Sequence, residues 1–246
     1  MATFVLVHGA MHGGWCWQMV ADQLRSHGHR VVTPTLTGQG ERKHLLTRET
    51  SVDMHIQDLV NVVEFEDLDD IVFVFHSYSG QLAGPVVQRL VGRVRSVVFA
   101  GAFHVFPGEC NFDVEPEDSR QMFEHLAQEY GDGWRIPVQD GLLERWGVTD
   151  PVLADRLRAK LTDFSLNFSR GVVNYDPQFL LSLPRTYIEH ASPPLPALEL
   201  SRDRAIAQGW TMVKIDTGHD MMLTEPGETT RLLLAIGHVD GLGGSV

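Results

Sequence analysis

The chain has 246 residues, of which 43% are hydrophobic and 21% charged, and its net charge is −12 at pH 7. This length and composition are typical of a soluble globular protein that needs no disulfide or metal to hold its core. The negative charge argues against a nucleic-acid partner and against an anionic membrane surface, because no cluster of Lys and Arg offsets it. We expect a small molecule as the binding partner, and a homodimer stays open.

The two cysteines, Cys16 and Cys110, lack the spacing of a metal site and are too few for a disulfide scaffold. A reducing cytoplasm is therefore the expected location. The N-terminal residues lead straight into a strand-like segment, so no signal peptide is predicted. No apolar run is long enough to span a bilayer. We expect neither a metal nor another cofactor.

Strands and helices alternate along most of the chain. The apolar spacing predicts, in chain order, a strand at 4–7, a helix at 17–26, a strand at 29–34, a loop at 37–50, a helix at 51–65, a strand at 71–75, a helix at 81–90 and a strand at 94–100. Later in the chain it predicts strands at 185–190 and 211–215, a helix at about 228–236 and a frayed tail at 241–246. This alternation is typical of the α/β class, with a mostly parallel sheet and helices on both faces.

The stretch 104–180 interrupts the alternation, because it is rich in aromatic residues and shows helical spacing only around 123–130 and 153–161. We interpret it as a helical cap over the carboxyl ends of the strands, where open α/β sheets bind ligands. The core would then comprise 1–103 and 181–246. The aromatic residues of the cap would either contact an apolar or aromatic ligand or form the cap's own core: Phe112, Phe123, Trp134, Trp146, Phe164 and Phe168.

Ser77 directly follows the most apolar strand, 71–75, with His76 before it. A sharp turn from strand to helix exposes a serine hydroxyl, and the usual pattern is G-x-S-x-G because the turn is crowded. Ser79 is small enough for this turn, whereas Phe75 departs from the pattern. Ser77 is either a nucleophile or a helix cap, and its placement favours the nucleophile.

His219 is distinguished from the other histidines by its position in a loop at the carboxyl end of the strand 211–215. A serine nucleophile needs a base, and neutral imidazole is a suitable one. His12 and His76 lie beside the same loops and are expected to serve structure. His190, within a strand, is expected to be a satisfied core histidine.

Three segments occur in the same order as in a known family. Residues 7–15, 76–78 and 218–223 resemble the plant methyl-ester esterase and hydroxynitrile lyase branch of the α/β-hydrolases and its bacterial relatives. The resemblance covers the sheet-forming parts, about 1–103 and 183–240. It implies an α/β-hydrolase fold and says little about the cap.

The resemblance implies a hydrolase that cleaves a carboxylic ester or lactone through an acyl-enzyme on Ser77, with His219 as base. It also implies an oxyanion hole made by the backbone N–H groups of Ala10 and Tyr78. A small apolar or aromatic substrate would suit the aromatic cap.

The same fold can also serve functions other than ester hydrolysis. A hydroxynitrile lyase is not expected. The resemblance implies that such a lyase needs a threonine and a lysine at the positions where this chain has Gly9 and Asp220. Another lyase or a cyclase stays open. A receptor without catalysis is disfavoured, because a receptor needs no pair such as Ser77 and His219.

The acid that would orient His219 is not evident. The family places an Asp after the strand 185–190, where residues 191–196 contain no carboxylate. The candidates are Glu109 and Asp113, which we prefer, and Glu189; a dyad without an acid also stays open.

Overall fold

The computed structural model describes residues 1–239. The predicted α/β fold is confirmed, because six parallel strands form one sheet in the order β2-β1-β3-β4-β7-β8. A second, antiparallel sheet pairs β5 with β6. The strands are β1 (Thr3–Val7), β2 (Arg30–Val32), β3 (Ile71–His76), β4 (Val94–Ala100), β5 (Arg135–Ile136), β6 (Phe164–Ser165), β7 (Arg185–His190) and β8 (Thr211–Ile215).

Helices connect the parallel strands, as expected for crossovers in an α/β sheet. The α-helices of the described residues are α1 (Gln18–Ser26), α2 (Val52–Phe65), α3 (Ala83–Arg89), α4 (Asn111–Val114), α5 (Glu117–Tyr130), α6 (Leu142–Arg145), α7 (Pro151–Arg158), α8 (Leu166–Arg170), α9 (Pro177–Leu181), α10 (Glu199–Ala207), α11 (Met221–Thr224) and α12 (Pro226–Val239). Short 3₁₀ helices occur at Gly14–Trp17, Gly40–Leu45, Ser77–Leu82 and Pro196–Leu198. The predicted loop at 37–50 therefore contains one helical turn. Within residues 1–239, no helix combines the length and the apolar character that crossing a membrane requires.

The central strand β3 is buried along its whole length, and its side chains alternate between two apolar clusters. One cluster contains Phe73 and Phe75 with residues of α2 and α3, and the other contains Val72 and Val74 with residues of α1 and α12. Both faces of the sheet are therefore covered by helices, which explains why parallel strands read as continuous apolar runs.

The register brings the functional ends of the strands together. β3 pairs with β1 up to Val7↔Phe75 and with β4 up to His76↔Ala100. Ser77 and Gly101 consequently begin two neighbouring loops at the carboxyl edge of the sheet. The stretch 104–180 contributes no strand to this sheet. Its status as a separate cap domain stays a prediction.

Candidate active site

Ser77 is the first residue after β3 and starts the 3₁₀ helix Ser77–Leu82. Its φ is +52°, in the left-handed region that residues with a side chain rarely adopt. Such a conformation costs about 1–3 kcal/mol and tends to occur at functional sites. The surrounding structure fixes it, since the N–H of Phe103 donates to the carbonyl oxygen of Ser77 at 3.0 Å. The turn is therefore the sharp strand-to-helix turn that the sequence predicted.

The structure accounts for both departures from G-x-S-x-G. The hydroxyl of Ser79 accepts a hydrogen bond from the N–H of His76 (2.9 Å) and donates to its carbonyl oxygen (2.8 Å), so this serine closes the turn. Phe75 is fully buried in the core and stacks on Phe73, with ring centroids 5.0 Å apart. Its side chain therefore extends into the core cluster rather than crowding the turn.

The close approaches that the turn requires involve other glycines. A Cβ on Gly9 would lie 2.7 Å from the Cβ of Ser77. A Cβ on Gly80 would lie 2.3 Å from the carbonyl oxygen of Phe103, which is backbone and cannot swing away. In this chain, therefore, positions 9 and 80 are the ones at which the turn leaves no space for a side chain.

His219 lies between β8 and α11 and is almost fully buried. The Nε2–H of His76 donates to the carbonyl oxygen of His219 at 3.0 Å, which fixes the backbone of this loop. Burial lowers the pKa of His219 well below its usual value, and the neighbouring rings of His76, His190 and His12 lower it further. The imidazole is consequently neutral at neutral pH and able to accept a proton.

One cavity of about 260 Å³ brings the predicted site residues together. Ser77, His219, Ala10 and Tyr78 all line it. Three of the six aromatic residues of the predicted cap line it as well: Phe123, Trp146 and Phe164. The other three do not line this cavity. Phe112 and Phe168 are buried in the core instead, whereas Trp134 is half-buried and lies against Arg48 and Arg135.

The loop of His219 packs directly against the predicted cap. A Cβ on Gly218 would lie 2.5 Å from the carbonyl oxygen of Trp146 and 2.6 Å from the Cα of Gly147. The N–H of Asp220 points to the same carbonyl oxygen at 3.4 Å. Two glycines therefore allow the two backbones to touch beside the base.

Comparison with known proteins agrees with this geometry. The model of the alpha/beta hydrolase family matches residues 4–232. The chain belongs to the α/β-hydrolase family.

This α/β-hydrolase is 32% identical over 248 residues to the carbendazim hydrolyzing esterase of Nocardioides sp. (strain SG-4G), with 96% of the chain and 100% of the relative covered. It is also 32% identical over 101 residues to methyl jasmonate esterase 1 of Vitis vinifera, which covers 41% of the chain and 39% of the plant enzyme. A solved extracellular α/β-hydrolase from a Paenibacillus species has a TM-score of 0.82 at 22% identity, covering 96% of this chain and 98% of the other. The predictions of family, fold and an ester-hydrolysing enzyme are confirmed.

The preferred acid candidates of this α/β-hydrolase are placed elsewhere, so that prediction is wrong. Glu109 is bound by the guanidinium of Arg204 at 2.5 and 2.9 Å. Asp113 accepts a hydrogen bond from the backbone N–H of Cys110 at 2.8 Å. Each carboxylate is engaged by a donor from its own surroundings and makes no hydrogen bond to His219.

The third candidate is also excluded. Glu189 pairs with Arg202 at 3.3 Å and with Lys214 at 3.6 Å. Within residues 1–239, the Nδ1 atom of His219 is buried without a hydrogen-bond partner. A Cβ on Gly101 would lie only 3.4 Å from this nitrogen, so the end of β4 reaches the imidazole but offers no side chain.

A second histidine, His190, lies beside the base His219. Its ring centroid lies 5.0 Å from that of His219. The prediction of a satisfied core histidine is wrong, because the Nε2 atom of His190 is buried and has no hydrogen-bond partner in the described part of the chain. Burial lowers the pKa of His190, although Asp220 and Glu189 oppose this shift. The ring next to the base is therefore neutral at neutral pH.

Asp220 is a buried carboxylate to which the sequence analysis assigned no role. It is completely inaccessible, and neither of its oxygens has a hydrogen-bond partner among residues 1–239. The Nε2 atom of His12 lies 3.5 Å from its Oδ2. Burial of His12 opposes its protonation, but the Asp220 carboxylate outweighs this effect and raises the pKa of His12.

His12 thereby connects the two catalytic loops. Its Nδ1–H donates to the carbonyl oxygen of Ala10 at 2.8 Å, while its Nε2 faces Asp220. The burial of Asp220 could have been predicted from the sequence, because this acidic residue comes directly before the apolar run 221–223. A helix that is buried at its first residue also buries the residue before it.

Proposed function

We propose that this α/β-hydrolase cleaves carboxylic esters or lactones through an acyl-enzyme on Ser77, with His219 as general base. One observation carries the proposal: a serine in a left-handed conformation lines the same cavity as a buried imidazole whose pKa is low. A serine on a strained backbone turn and a neutral imidazole that line one cavity supply the two groups that nucleophilic catalysis by a serine uses.

In the first half-reaction, His219 accepts the proton of the Ser77 hydroxyl while the oxygen attacks the ester carbonyl. The tetrahedral oxyanion accepts hydrogen bonds from the N–H groups of Ala10 and Tyr78, two residues that line the same cavity as Ser77. The intermediate collapses, and the alcohol leaves with the proton held by His219. Water then attacks the acyl-serine with help from the same base, which releases the acid and restores Ser77.

We also propose that His219 acts in a dyad. The unpartnered Nδ1 atom and the absent side chain at Gly101 support this. A missing or misplaced acid lowers turnover by about 10⁴-fold in serine proteases, so a dyad enzyme should be slow on unactivated esters. The same unpartnered atom favours a second candidate, a lyase or cyclase on this fold, because such chemistry does not need an acyl-enzyme.

The proposed substrate is a small apolar or aromatic ester. The cavity is at the small end of ligand pockets, and Phe123, Trp146 and Phe164 supply much of its wall. Similarity to a carbendazim hydrolyzing esterase over the whole chain supports a compact substrate. We further propose a cytoplasmic location, which the two free, buried cysteines support.

The test is covalent labelling with a fluorophosphonate probe, followed by mass spectrometry and by hydrolysis assays with 4-nitrophenyl esters. The wild-type protein should carry the label on Ser77, whereas Ser77→Ala should carry none and lose turnover by about 10⁴-fold or more. Ser169→Ala is the matched control, because Ser169 lines the cavity without a proposed catalytic role. Normal ester hydrolysis by Ser77→Ala would refute the acyl-enzyme, and Ser77 labelling without any ester hydrolysis would favour the lyase or cyclase.

A further inference from the structure

The wall of the cavity is mainly apolar, but a buried carboxyl group interrupts it on the cap side. Glu115 lines the cavity and is only 8% exposed. Within residues 1–239 its carboxyl group has neither a hydrogen-bond nor an ion-pair partner. Burial raises the pKa of Glu115 to about 8, although the charge of Arg120 opposes the shift. The mechanism proposed above makes no use of this group.

A second unsatisfied acceptor lies one helical turn earlier. Asn111 is 1% exposed and lines the same cavity. Its Nδ2 group donates to the carbonyl oxygen of Tyr78 at 3.4 Å, which identifies Oδ1 as the free acceptor, and Oδ1 has no partner in the described residues. The N–H of Glu115 donates to the carbonyl oxygen of Asn111 at 3.1 Å, so the two residues follow one another along the same face.

Buried polar groups in folded proteins are nearly always hydrogen-bonded, and an exception calls for an explanation. The buried Oδ1 atom of Asn111 is such an exception, and the carboxyl group of Glu115 in the same cavity lining also lacks a partner among the described residues. Both are explained if a ligand in the cavity supplies the missing hydrogen bonds. The Oδ1 atom of Asn111 can only accept a hydrogen bond, whereas the protonated carboxyl group of Glu115 offers one carbonyl acceptor and one O–H donor. Together they fit a ligand that presents N–H groups, with or without an acceptor nitrogen beside them. The local backbone is also built to hold Asn111, because its N–H donates to Oε1 of Gln81 at 3.2 Å.

We propose that Glu115 and Asn111 form a polar subsite that selects esters carrying an N–H donor, such as an aromatic amine, an amidine or an N–H heteroaromatic ring. The subsite lines the same cavity as Ser77, so it would bind a polar group on the ring of a small substrate whose ester is held at Ser77. This inference deepens the proposed function and rests on it. In this proposal Glu115 and Asn111 determine which substrate binds and take no part in the reaction itself.

An anionic substrate is the competing possibility, because Arg145 also lines the cavity. Arg145 is exposed, however, and its guanidinium already contacts the sulfur of Met122 at 3.5 Å. A ligand carboxylate could not satisfy the free Oδ1 atom of Asn111, because both groups only accept hydrogen bonds. The two buried acceptors therefore favour a donor-bearing ligand over an anionic one.

The experiment compares matched substrates: methyl 3- and 4-aminobenzoate against methyl 3- and 4-methylbenzoate, in which a methyl group of similar size replaces the amine. We expect Glu115→Leu to lower the preference for the amino ester, expressed as a ratio of kcat/KM values, by about 10-fold or more. Intrinsic reactivity cancels, because each variant is compared on the same pair. Glu117→Gln is the matched control, since Glu117 starts the next helix but its side chain is 63% exposed.

Binding to Ser77→Ala, measured by calorimetry with the same esters, separates the subsite from the chemistry. Tighter binding of the amino ester that disappears in Ser77→Ala/Glu115→Leu supports the subsite even if no ester is turned over. An unchanged ratio in Glu115→Leu, equal binding of both esters, or a preference for monomethyl terephthalate would overturn the inference. Failure of the fluorophosphonate to label Ser77 would instead refute the proposed hydrolase mechanism.

Discussion

Lowering the pH is expected to unfold this protein over a narrow range below pH 6.5. Burial lowers the pKa from 6.5 to about 3 for His8 and to about 4 for His55, His76 and His104. These rings stay neutral in the folded chain until the pH approaches 4, whereas in the unfolded chain they take up protons near pH 6.5. The unfolded state therefore binds more protons, and the stability present above pH 6.5 is lost as the pH falls towards 4.

The size of the effect follows from these pKa values. Between pH 7.5 and 4.5 each of the four rings removes about 2–3 kcal/mol from the free energy of unfolding, roughly 10 kcal/mol together. Glu115 acts in the opposite direction, because its raised pKa keeps it protonated in the folded chain, and it returns about 3 kcal/mol over the same range. The net loss for these five groups, roughly 7 kcal/mol, is comparable with the entire stability of a typical domain. The lowered pKa values of His190 and His219 add to this loss, and the raised pKa of His12 opposes it.

The assay is urea unfolding followed by tryptophan fluorescence at several pH values from 7.5 to 4.5. His104→Gln is the informative variant, because the Nε2 atom of His104 contacts Gln208 at 2.9 Å and the residue does not line the active-site cavity. It should flatten the dependence on pH by up to one proton, about 1.4 kcal/mol per pH unit. His125→Gln, at an exposed position, is the control. A wild-type stability that stays constant within about 1 kcal/mol across this range would refute the reasoning.

Three further predictions concern the site. Because the pKa of His219 is well below 6.5, kcat/KM for an activated ester should already be on its plateau at pH 6.5, and an inflection at pH 7 or above would contradict the lowered pKa. Glu109→Gln and Asp113→Asn should each keep kcat/KM within about 3-fold, and a loss near 10⁴-fold in either would restore it as the acid. Gly80→Ala should cost at least about 1–3 kcal/mol, because its Cβ would lie 2.3 Å from the carbonyl oxygen of Phe103; an unchanged Tm by calorimetry would argue against this clash.

The strands were the most predictable part of the fold. β4, β7 and β8 have the predicted bounds, because each is a short run containing β-branched residues between residues that favour turns, such as Gly101, Pro184 and Asp216. The positions of Ser77 and His219 were predictable for a related reason, since each follows such a strand. Their presence in one cavity follows from the parallel register, in which all carboxyl ends share one edge.

The surroundings of the base were not predictable, because they depend on contacts between distant segments. Glu109 was a reasonable acid by position, but Arg204, 95 residues further on, binds it. The ring nitrogens of His190 were predicted to be hydrogen-bonded, as those of core histidines usually are. Its ring instead lies beside the ring of His219. No local pattern indicates which direction a side chain takes at the end of a strand.

The backbone contact between Gly218 and Trp146 has a consequence for engineering. The carbonyl oxygen of Trp146, in the predicted cap, lies 2.5 Å from where the Cβ of any side chain at position 218 would be, so neither segment can be redesigned without the other. Libraries aimed at new substrates should therefore vary inward-facing positions such as Phe123, which are tied to no catalytic loop. Replacing the whole predicted cap with that of a relative would change the backbone that contacts Gly218 beside His219. Such a replacement should impair turnover even where the new cavity fits its substrate.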